Sequence, residues 1–437
     1  MTMPFKSISI IGLGYIGLPT AAVLASRRGN VVGVDVSREV VDTVNAGTVR
    51  TVEPGLVELL AEVTAQGQLR AVEHPEAADA FIIAVPTPIT EDHKPDISYV
   101  RAAALSLAPV LRRDNLIILE STSPVGTTEQ MAQWLAEARP DLAFPHQTGE
   151  AAEVQIAYCP ERILPGNMLE ELVNNDRIVG GMTARASAMA TELYRLFVQG
   201  EIVTTSVRTA EMCKLTENSF RDVNIAFANE LSMICDKLDI NVWELIKLAN
   251  KHPRVNILQP GCGVGGHCIP VDPWFIVDSA LEGARLIRTA REVNDHKPEW
   301  IVEKVKQAID KHLKEHSEKT IADVTVACWG LAYKPNTNDV RNSPALQIVK
   351  GIAKLGCRLA IIEPYFQDDC DVVRELVRYL CSLEDARKTA DIHCVLVPHR
   401  IFSDVSSERY RMEILSKHLE PTSVDKFANN SSFNETA

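Results

Sequence analysis

The sequence has no CxxC pair, although it contains ten cysteines among its 437 residues. Most of these cysteines stand singly in apolar runs or helical patterns, as Cys159, Cys328 and Cys235 do. This pattern argues against a zinc ribbon and against a disulfide-stapled secreted domain. We therefore expect reduced thiols and a cytoplasmic location.

An excess of basic charge and long membrane-spanning runs are also missing. The formal net charge of −13 argues against non-specific nucleic-acid binding, which needs a basic face. The apolar stretch after Lys6 has the length of a signal-peptide core, but its three spaced glycines give a better explanation below. No other stretch is long enough to span a bilayer. We expect no nucleic-acid partner and no membrane partner, whereas a small anionic substrate remains compatible with the composition.

A pseudo-repeat relates the two ends of the chain. The patterns SISIIGLGY, NVVGVD and ADAFIIAVP near the N-terminus have counterparts in VTVACWGLAY, CRLAIIEP and ADIHCVLVP near the C-terminus. Continuous β-branched runs flanked by helical patterns are typical of buried parallel strands in βαβ units. The chain is also too long for a single core. The sequence therefore predicts an α/β protein with two doubly wound, Rossmann-like domains.

The middle of the chain has a different pattern. Residues 209–252 and 283–314 show helical periodicity, and Pro298 marks a kink or a restart in the second stretch. We expect a helical middle domain, followed by a long helix that connects it to the second Rossmann-like domain.

A glycine-rich turn follows the first strand pattern. The GxGxxG spacing lies between a predicted strand and a predicted helix, at Gly12, Gly14 and Gly17. In this setting the amides around Tyr15 and Ile16 face a pyrophosphate, and Asp35, at the end of the next strand, accepts hydrogen bonds from ribose hydroxyls. Because the carboxylate would repel a 2′-phosphate, the pattern predicts NAD rather than NADP. The alternative is a glycine-rich turn beside an acidic surface residue.

Hydroxyl side chains follow two further strand patterns. The loops AVPTP and LESTSPVGTT stand at the carboxyl ends of predicted parallel strands, where ligands bind in such sheets. They offer Thr87, Thr122 and Thr128 as cofactor contacts. For each threonine a plain turn role is the alternative.

Polar side chains and a glycine-rich cysteine loop supply candidates for chemistry. Lys214, Asn218 and Arg221 share one face of a predicted helix. The simpler interpretation of this face is a solvated stripe with a Glu211–Lys214 pair. Further candidates follow a buried strand or precede the stretch GCGVGGHC, namely Glu161, Arg162, His252 and Arg254. With the dinucleotide fingerprint, this set suits an anionic substrate beside a nicotinamide.

The order of these motifs resembles a known family. IGLGYIGLP, AVPTP, ESTSPVGTT, CPER, AEMCKLTENSFRD, PGCGVGGHC and GLAYKPNTNDVRNSP follow one another along nearly the whole chain. The chain thereby resembles the nucleotide-sugar 6-dehydrogenases of the UDP-glucose/GDP-mannose dehydrogenase family. The resemblance implies an NAD-binding domain at 1–205, a helical central and dimerisation domain at 206–300 and a UDP-sugar-binding domain at 301–437. It also implies a homodimer or a higher homo-oligomer.

The activity that the resemblance implies is a four-electron oxidation of the sugar C6 from alcohol to carboxylate with two NAD. It favours UDP-N-acetyl-D-mannosamine as the substrate, for the surface polysaccharide enterobacterial common antigen, with UDP-N-acetylglucosamine as the alternative. The second oxidation needs a tetrahedral carbon, because an aldehyde cannot release its hydrogen as hydride directly. A thiolate that attacks the aldehyde gives a thiohemiacetal, and its oxidation gives a thioester that water cleaves.

The resemblance also assigns catalytic roles. The cysteine of GGxC, which is Cys268 here, is the nucleophile. Lys214 is the acid/base or the residue that stabilises an oxyanion, and Asn218 positions a water or the same oxygen. Asp272 pairs with the lysine and the catalytic water, and Glu161 lies near the reacting carbon.

The remaining roles concern binding. Lys214 and Asn218 also contact the substrate, and His252 and Arg254 reach across a dimer interface. Arg341 is expected to touch NAD. The other positions at which the family grips the nucleotide sugar are Arg162, Ile163, Arg221, Gly265, Tyr333 and Lys334.

Three alternatives to this interpretation stay open. A metal site would use Cys262, His267 and Cys268, but adjacent residues rarely bind one ion together, so we expect no metal and a loop role for Cys262. A single-step hydroxyacid dehydrogenase would need no cysteine. A non-catalytic NAD-binding regulator would bind the cofactor without turnover.

Two positions and the C-terminal ending depart from the family pattern. The UDP-glucose branch has a second glutamate where this chain has Pro165, and a lysine where it has Val271. This pattern therefore argues against UDP-glucose as the substrate, and it does not assign the group that activates water for hydrolysis. The ending SVDKFANNSSF also differs from the usual one, and we expect the polar tail NNSSFNETA to be disordered.

Overall fold

A computed structural model describes residues 5–49, 53–163, 166–365 and 375–405 of the chain. Its contacts divide the chain into two compact units, Met1–Glu217 with Trp274–Leu281 and Asn218–Pro273 with Glu282–Ala437. Two expectations concern residues outside the described ranges. They are the replacement of a family glutamate by Pro165 and the disorder of the C-terminal tail. Within the described residues, every helix is too short or too polar to cross a lipid bilayer.

The first unit is built on an eight-stranded sheet. Its strands are β1 (Ile8–Ile11), β2 (Val31–Val34), β3 (Leu69–Val72), β4 (Ala80–Ile83), β5 (Leu116–Leu119), β6 (Gln155–Tyr158), β7 (Arg177–Gly181) and β8 (Ile202–Ser206). The spatial order is β3-β2-β1-β4-β5-β6-β7-β8. Strands β1 to β6 pair in parallel, whereas β7 runs antiparallel to β6. The order reverses between β1 and β4, which is the switch point where such sheets bind ligands.

Helices cover both faces of this sheet. They are α1 (Gly17–Arg28), α2 (Arg38–Asn45), α3 (Leu56–Ala65), α4 (Ser98–Leu107), α5 (Thr127–Ala138), α6 (Pro145–Thr148), α7 (Met168–Asn174) and α8 (Ala184–Tyr194). Successive strand residues face opposite sides, so Ile82 and Ile118 join one apolar core while Phe81 and Ile117 join the other. Two buried faces explain why these strands are continuous apolar runs.

The second unit combines long helices with a smaller parallel sheet. The remaining described helices are α9 (Val207–Leu238), α10 (Val242–Ala249), α11 (Asp272–Ser279), α12 (Arg285–Glu315), α13 (Pro344–Ala353) and α14 (Leu383–Thr389). The first turns of α9 and most of α11 belong to the first unit, and the others belong to the second. The strands are β9 (Thr325–Trp329), β10 (Arg358–Ile362) and β11 (Ile392–Val395), in the order β10-β9-β11. The α/β fold with two Rossmann-like regions and a helical middle is confirmed.

Pro298 does not restart a helix. Helix α12 runs through it without a break, with Pro298 buried in its interior. A proline removes one donor from the helical ladder, but the turns on either side retain their own hydrogen bonds. Of the two predicted possibilities, a kink or a restart, the restart is therefore wrong, and the connecting helix is continuous.

The pseudo-repeat extends to individual hydrogen bonds. The amide of Gly12 donates to the carbonyl of Val34 at 2.8 Å. The next amide, that of Leu13, donates to the carboxylate of Asp35 at 3.0 Å. The second unit repeats both bonds, from Gly330 to Ile362 at 2.8 Å and from Leu331 to Glu363 at 2.6 Å. Both ends of the chain thus place an acid at the end of the second strand, against a glycine turn.

Candidate functional site

The first glycine turn has the geometry that a dinucleotide needs. Gly12 has a φ of +96°, and a Cβ there would lie 2.5 Å from the carbonyl oxygen of Ala84. A Cβ on Gly17 would lie 1.9 Å from the carbonyl oxygen of Gly12, so both positions require glycine. Gly14 differs, because a Cβ there would meet nothing within 4 Å. Its backbone therefore faces open space, as close approach of a pyrophosphate requires.

Asp35 is held at the end of β2 by backbone donors. Its Oδ2 accepts from the amide of Leu13 at 3.0 Å and its Oδ1 accepts from the amide of Ser37 at 2.9 Å. Each carboxylate oxygen keeps a second acceptor position. Tyr15 and Ile16 lie between the glycines, immediately before α1, so the N-terminal amides of that helix lie at the same turn. These residues fit NAD.

The three threonines have different surroundings. The hydroxyl of Thr87 donates to the carbonyl of Thr122 at 2.6 Å and ties the loop after β4 to the loop after β5. Thr128 is buried, and its hydroxyl donates to Glu211 at 2.7 Å. Glu211 also accepts from the amide of Gly126 at 2.6 Å, so it anchors the start of α5 to α9. In this structure the Thr128 hydroxyl thus has a structural partner.

Lys214 lies inside the first unit rather than on a solvated stripe. It is 6% exposed, and its Nζ lies 3.8 Å from Oε2 of Glu161, which is also buried. Asn218, one turn further along α9, is buried as well. The interpretation of this face as a solvated stripe is therefore wrong for both residues, because neighbouring segments cover it. Arg221, further along the helix, is exposed.

Glu161 belongs to the loop that follows β6. Its Oε1 accepts a hydrogen bond from the amide of Ile163, which fixes the carboxylate over its own turn. Arg162 does not join the Glu161–Lys214 pair. Its guanidinium pairs with Glu217 at 2.9 Å and donates to the carbonyl of Asp176 at 3.1 Å. In the first unit the structure thus brings together Glu161, Ile163 and Lys214 of the predicted site residues.

The cysteine loop of the second unit packs against the turn after β9. A Cβ on Gly265 would lie 2.8 Å from Tyr333 Cβ, and one on Gly266 would lie 3.1 Å from the Tyr333 ring. The carbonyl of Gly266 accepts from the side chain of Asn342 at 3.1 Å. The glycines are needed because side chains would prevent this packing. Tyr333 and Gly265 are thus in contact, as expected of residues at one site.

Cys268 differs from the other cysteines in its exposure. Of the nine described cysteines, none of which is in a disulfide, Cys268 alone is exposed. Cys262 is buried, its sulfur donates to the carbonyl of Leu396 at 3.1 Å, and burial raises the pKa of its thiol to about 12. A thiol with so high a pKa is an inert packing group. No group of three His, Cys, Asp or Glu side chains among the described residues is placed to hold a metal ion.

Asp272 lies one helical turn beyond Cys268. Its amide donates to the carbonyl of Cys268 at 2.9 Å, and its buried carboxylate accepts a hydrogen bond from the side chain of Asn218. Asn218 and Asp272 are thus brought together, although 54 positions separate them in the sequence.

A buried polar network that the sequence did not reveal holds the start of the cysteine loop. The amide of Gly261 donates to Asn229 at 2.8 Å, and the side chain of Asn229 donates to Asn294 at 2.8 Å. Asn294 in turn donates to Asp222 at 2.8 Å, and Arg291 pairs with the same carboxylate at 2.6 Å. The only sequence signal for it was polar residues at helical spacing on α9 and α12.

The remaining predicted ligands lie at the surface of the second unit. His252 and Arg254 are exposed and adjacent, with the amide of Arg254 donating to the His252 ring at 3.3 Å. Arg341 pairs with Asp339 at 2.7 Å. Lys334 is half-buried, with its Nζ 5.8 Å from the centre of the Tyr333 ring. Burial raises the pKa of Tyr333, and the nearby Asp339 and Cys268 add to the rise.

Comparison with known proteins identifies the three regions. The chain matches the NAD-binding, central and UDP-binding domains of the UDP-glucose/GDP-mannose dehydrogenase family at residues 6–198, 208–296 and 327–424. The UDP-N-acetyl-D-mannosamine dehydrogenase of Yersinia pestis is 56% identical over 416 residues, which are 94% of this chain and 98% of that protein. The NDP-N-acetyl-D-galactosaminuronic acid dehydrogenase of Ralstonia nicotianae is 54% identical over 413 residues, or 94% of this chain and 95% of that one.

Solved structures agree with these matches. The UDP-D-ManNAc dehydrogenase from Pyrococcus horikoshii has a TM-score of 0.82 and 39% identity, with 94% of this chain and 93% of that one covered. The glycine turn, its supporting acid and the three matched domains lead to one conclusion. The chain belongs to the UDP-glucose/GDP-mannose dehydrogenase family and is an NAD-dependent dehydrogenase.

Proposed function

We propose that this enzyme oxidises UDP-N-acetyl-D-mannosamine at C6 to UDP-N-acetyl-D-mannosaminuronate, with two NAD per sugar, for surface polysaccharide synthesis such as that of enterobacterial common antigen. The observation that carries the proposal is Cys268, an exposed thiol in a glycine loop of a chain 56% identical to UDP-N-acetyl-D-mannosamine dehydrogenases. A nucleophilic thiol distinguishes a four-electron oxidation from a simple alcohol dehydrogenation.

The first oxidation requires a base for the C6 hydroxyl. NAD supplies the hydride acceptor when bound. The Lys214 amine takes the hydroxyl proton, and the ammonium so formed holds the resulting alkoxide, since a buried cation stabilises an oxyanion far better than water does. Glu161, 3.8 Å from the Lys214 ammonium, keeps that cation in place. Asn218 orients the same oxygen or a water.

The second oxidation uses the sulfur. The Cys268 thiolate adds to the aldehyde carbon, and the thiohemiacetal loses hydride to become a thioester. Water then adds to the acyl carbon, and the carbon–sulfur bond breaks with its electron pair returning to sulfur. Asp272, in the helical turn that follows Cys268, positions that water.

Binding is divided among the three regions. We propose that residues 1–205 bind NAD through Asp35, the threonines and the glycine turn, with Arg341 as a contact from the C-terminal region. Residues 301–437 bind the UDP-sugar through Tyr333 and Lys334, and residues 206–300 join two copies. The other proposed substrate contacts are Arg162, Ile163, Lys214, Asn218, Arg221, His252, Arg254 and Gly265.

The sugar and the electron count can be tested together. We expect purified protein to form two NADH per molecule of UDP-N-acetyl-D-mannosamine, measured by absorbance in a limiting-sugar assay. UDP-N-acetylglucosamine and UDP-N-acetylgalactosamine, offered in parallel, should give less than about 1% of that rate, since a misplaced polar group in a hydrogen-bonding site costs several kcal/mol. The galacto sugar is included because of the name of the Ralstonia relative. Turnover of only another epimer rejects the proposed sugar, and one NADH per sugar rejects the thioester route.

A second test addresses the homodimer. Helix α9 exposes Phe220, Phe227 and Ile234, which recur every two turns, and Leu238 continues this stripe. An apolar stripe of this kind is typical of a surface that another subunit covers. We expect Phe227→Asp to shift the protein from dimer to monomer in light scattering after gel filtration.

The control for that experiment is Val57→Asp. Val57 is a similarly exposed apolar residue, and it lies on α3 of the first unit rather than on α9. It should leave the dimer intact. A Phe227→Asp protein that remains dimeric at low micromolar concentration contradicts an interface on this face of α9.

A further inference from the structure

A buried carboxylate with no assigned role lies at the carboxyl end of β5. Glu120 is 1% exposed. Its Oε1 accepts a hydrogen bond from the hydroxyl of Tyr194 at 3.3 Å, and Nη1 of Arg177 lies 3.7 Å away. Its Oε2 has no hydrogen-bond partner among the described residues. Glu120 is thus a buried acid with only one weak hydrogen bond.

The partner of this carboxylate is equally under-satisfied. Arg177, at the start of β7, is 1% exposed, and none of its three guanidinium nitrogens has a hydrogen-bond partner among the described residues. Buried charges are costly unless they are hydrogen-bonded. A 3.7 Å gap with unsatisfied atoms on both sides is the arrangement in which ordered water bridges two groups. We therefore expect water between Glu120 and Arg177.

This pair lies next to Glu161. Strands β5 and β6 are neighbours in the sheet, so the residues that follow them meet at one edge. The charge of Glu161 is close enough to act on both Glu120 and Arg177. The ion pair of Glu161 with Lys214 thus stands beside the pair of Glu120 with Arg177, two cations and two carboxylates in one buried region.

Among the four groups Glu120, Cys159, Arg177 and Tyr194, Glu120 alone changes charge near neutral pH. Burial raises the pKa of Glu120 to about 7, against the effect of Arg177 and with a contribution from Glu161. Burial raises the pKa of the Cys159 thiol to about 12 and that of Tyr194 well above its usual range, so both stay neutral. Arg177 keeps its charge at all relevant pH values.

We propose that Glu120 is the proton acceptor behind Glu161 in the hydrolysis step. This inference rests on the proposed function. When water adds its oxygen to the acyl carbon, its proton goes to the Glu161 carboxylate, and the electron pair of the carbon–sulfur bond goes to sulfur. The proton then moves from Glu161 through bridging water to the Glu120 carboxylate, which leaves Glu161 ionised. Glu120 releases this proton to solvent before the next turnover. The UDP-glucose branch of the family has a second glutamate where this chain has Pro165. Glu120 supplies a second proton-accepting carboxylate in its place.

The test compares Glu120→Gln with Glu120→Asp. Glutamine keeps the shape and the acceptor for Tyr194 but takes no proton, whereas aspartate still titrates. In the wild type kcat should rise as pH passes through about 7, because only the ionised carboxylate accepts a proton. In Glu120→Gln we expect this rise of kcat with pH to vanish and kcat at pH 8 to fall roughly 10- to 100-fold. The acyl-enzyme should accumulate in quenched samples after a burst of two NADH per active site. Glu120→Asp should restore the rise of kcat near pH 7.

A stability measurement checks the titration independently of activity. The pKa of Glu120 is raised in the folded state, so the stability it contributes is full at acidic pH and is lost as pH rises through about 7. The Tm difference between wild type and Glu120→Gln should therefore change as pH rises from about 4.5 to about 7 and level off above pH 7. A difference that is constant below pH 7, an unchanged kcat profile in Glu120→Gln, or an aspartate variant no better than glutamine overturns the proposal. Wild-type enzyme that forms no acyl adduct would instead overturn the proposed function itself.

Discussion

Cys268→Ser is expected to lower turnover by roughly 10³-fold or more, since the side chain that forms the covalent intermediate is lost. A serine hydroxyl is almost entirely protonated at neutral pH, whereas a thiol with a pKa of about 8.5 is already a few per cent thiolate. NAD binding should be unchanged, because Gly12, Gly14 and Asp35 belong to the other unit. NADH formation and cofactor titration by fluorescence measure the two effects separately.

The control for this substitution is Cys357→Ser. Cys357 is a half-buried thiol beside the second sheet, and a serine there can make the same weak contact with the carbonyl of Ile352. This variant should keep nearly full activity. Mass spectrometry of quenched wild-type reactions should find the acyl group on the peptide that contains Cys268. Full activity of Cys268→Ser, or an acyl group on another residue, rejects the thioester route.

Lys214→Met should reduce kcat by roughly 10²- to 10³-fold, the usual effect of removing one group that stabilises an oxyanion. Methionine has a similar length and suits the buried position, but it carries no charge. The substitution also leaves Glu161 buried without its cation at 3.8 Å. Since breaking a buried pair from one side costs about 3–5 kcal/mol, the Tm should fall as well.

The double variant Lys214→Met with Glu161→Gln separates these two effects. Removal of both charges should recover part of the lost Tm, because no uncompensated charge remains in the interior. It should not recover kcat, because Glu161 is itself proposed to accept a proton; the kcat of the single Lys214→Met variant therefore tests the ammonium, and the double variant tests only the Tm. A single variant that loses stability but keeps kcat within about threefold contradicts a catalytic role for Lys214.

Local sequence patterns were sufficient for the elements that carry the glycine turn. The run SISII predicted a strand buried on both faces, and the three glycines after it matched the turn of a dinucleotide-binding unit. The repeated strand patterns at the two ends likewise predicted β9, β10 and β11, because their apolar character depends on residues close in sequence. The antiparallel pairing of β6 with β7 was not predictable in this way, since strand direction depends on the path of the intervening chain.

Long-range contacts were harder to predict for the same reason. The spacing of Lys214 and Asn218 was compatible with either a solvated stripe or a buried face, and only the packing of other segments against α9 distinguishes the two. Thr128 was a candidate ligand by its position, yet its hydroxyl meets Glu211 from a helix 83 positions away. For the network of Asn229 and Asn294 the sequence offered only polar residues at helical spacing, which do not show that these side chains are buried together.

The sequence by itself determined the fold class, the NAD-binding turn and the cysteine loop, because each depends on residues within a few positions of one another. Only the tertiary structure decided which polar side chains are buried together, such as Glu161 with Lys214 and Glu120 with Arg177. Burial and charge pairing are set by distances between segments remote in sequence. Those distances govern pKa values and hence which of the candidate groups can move a proton.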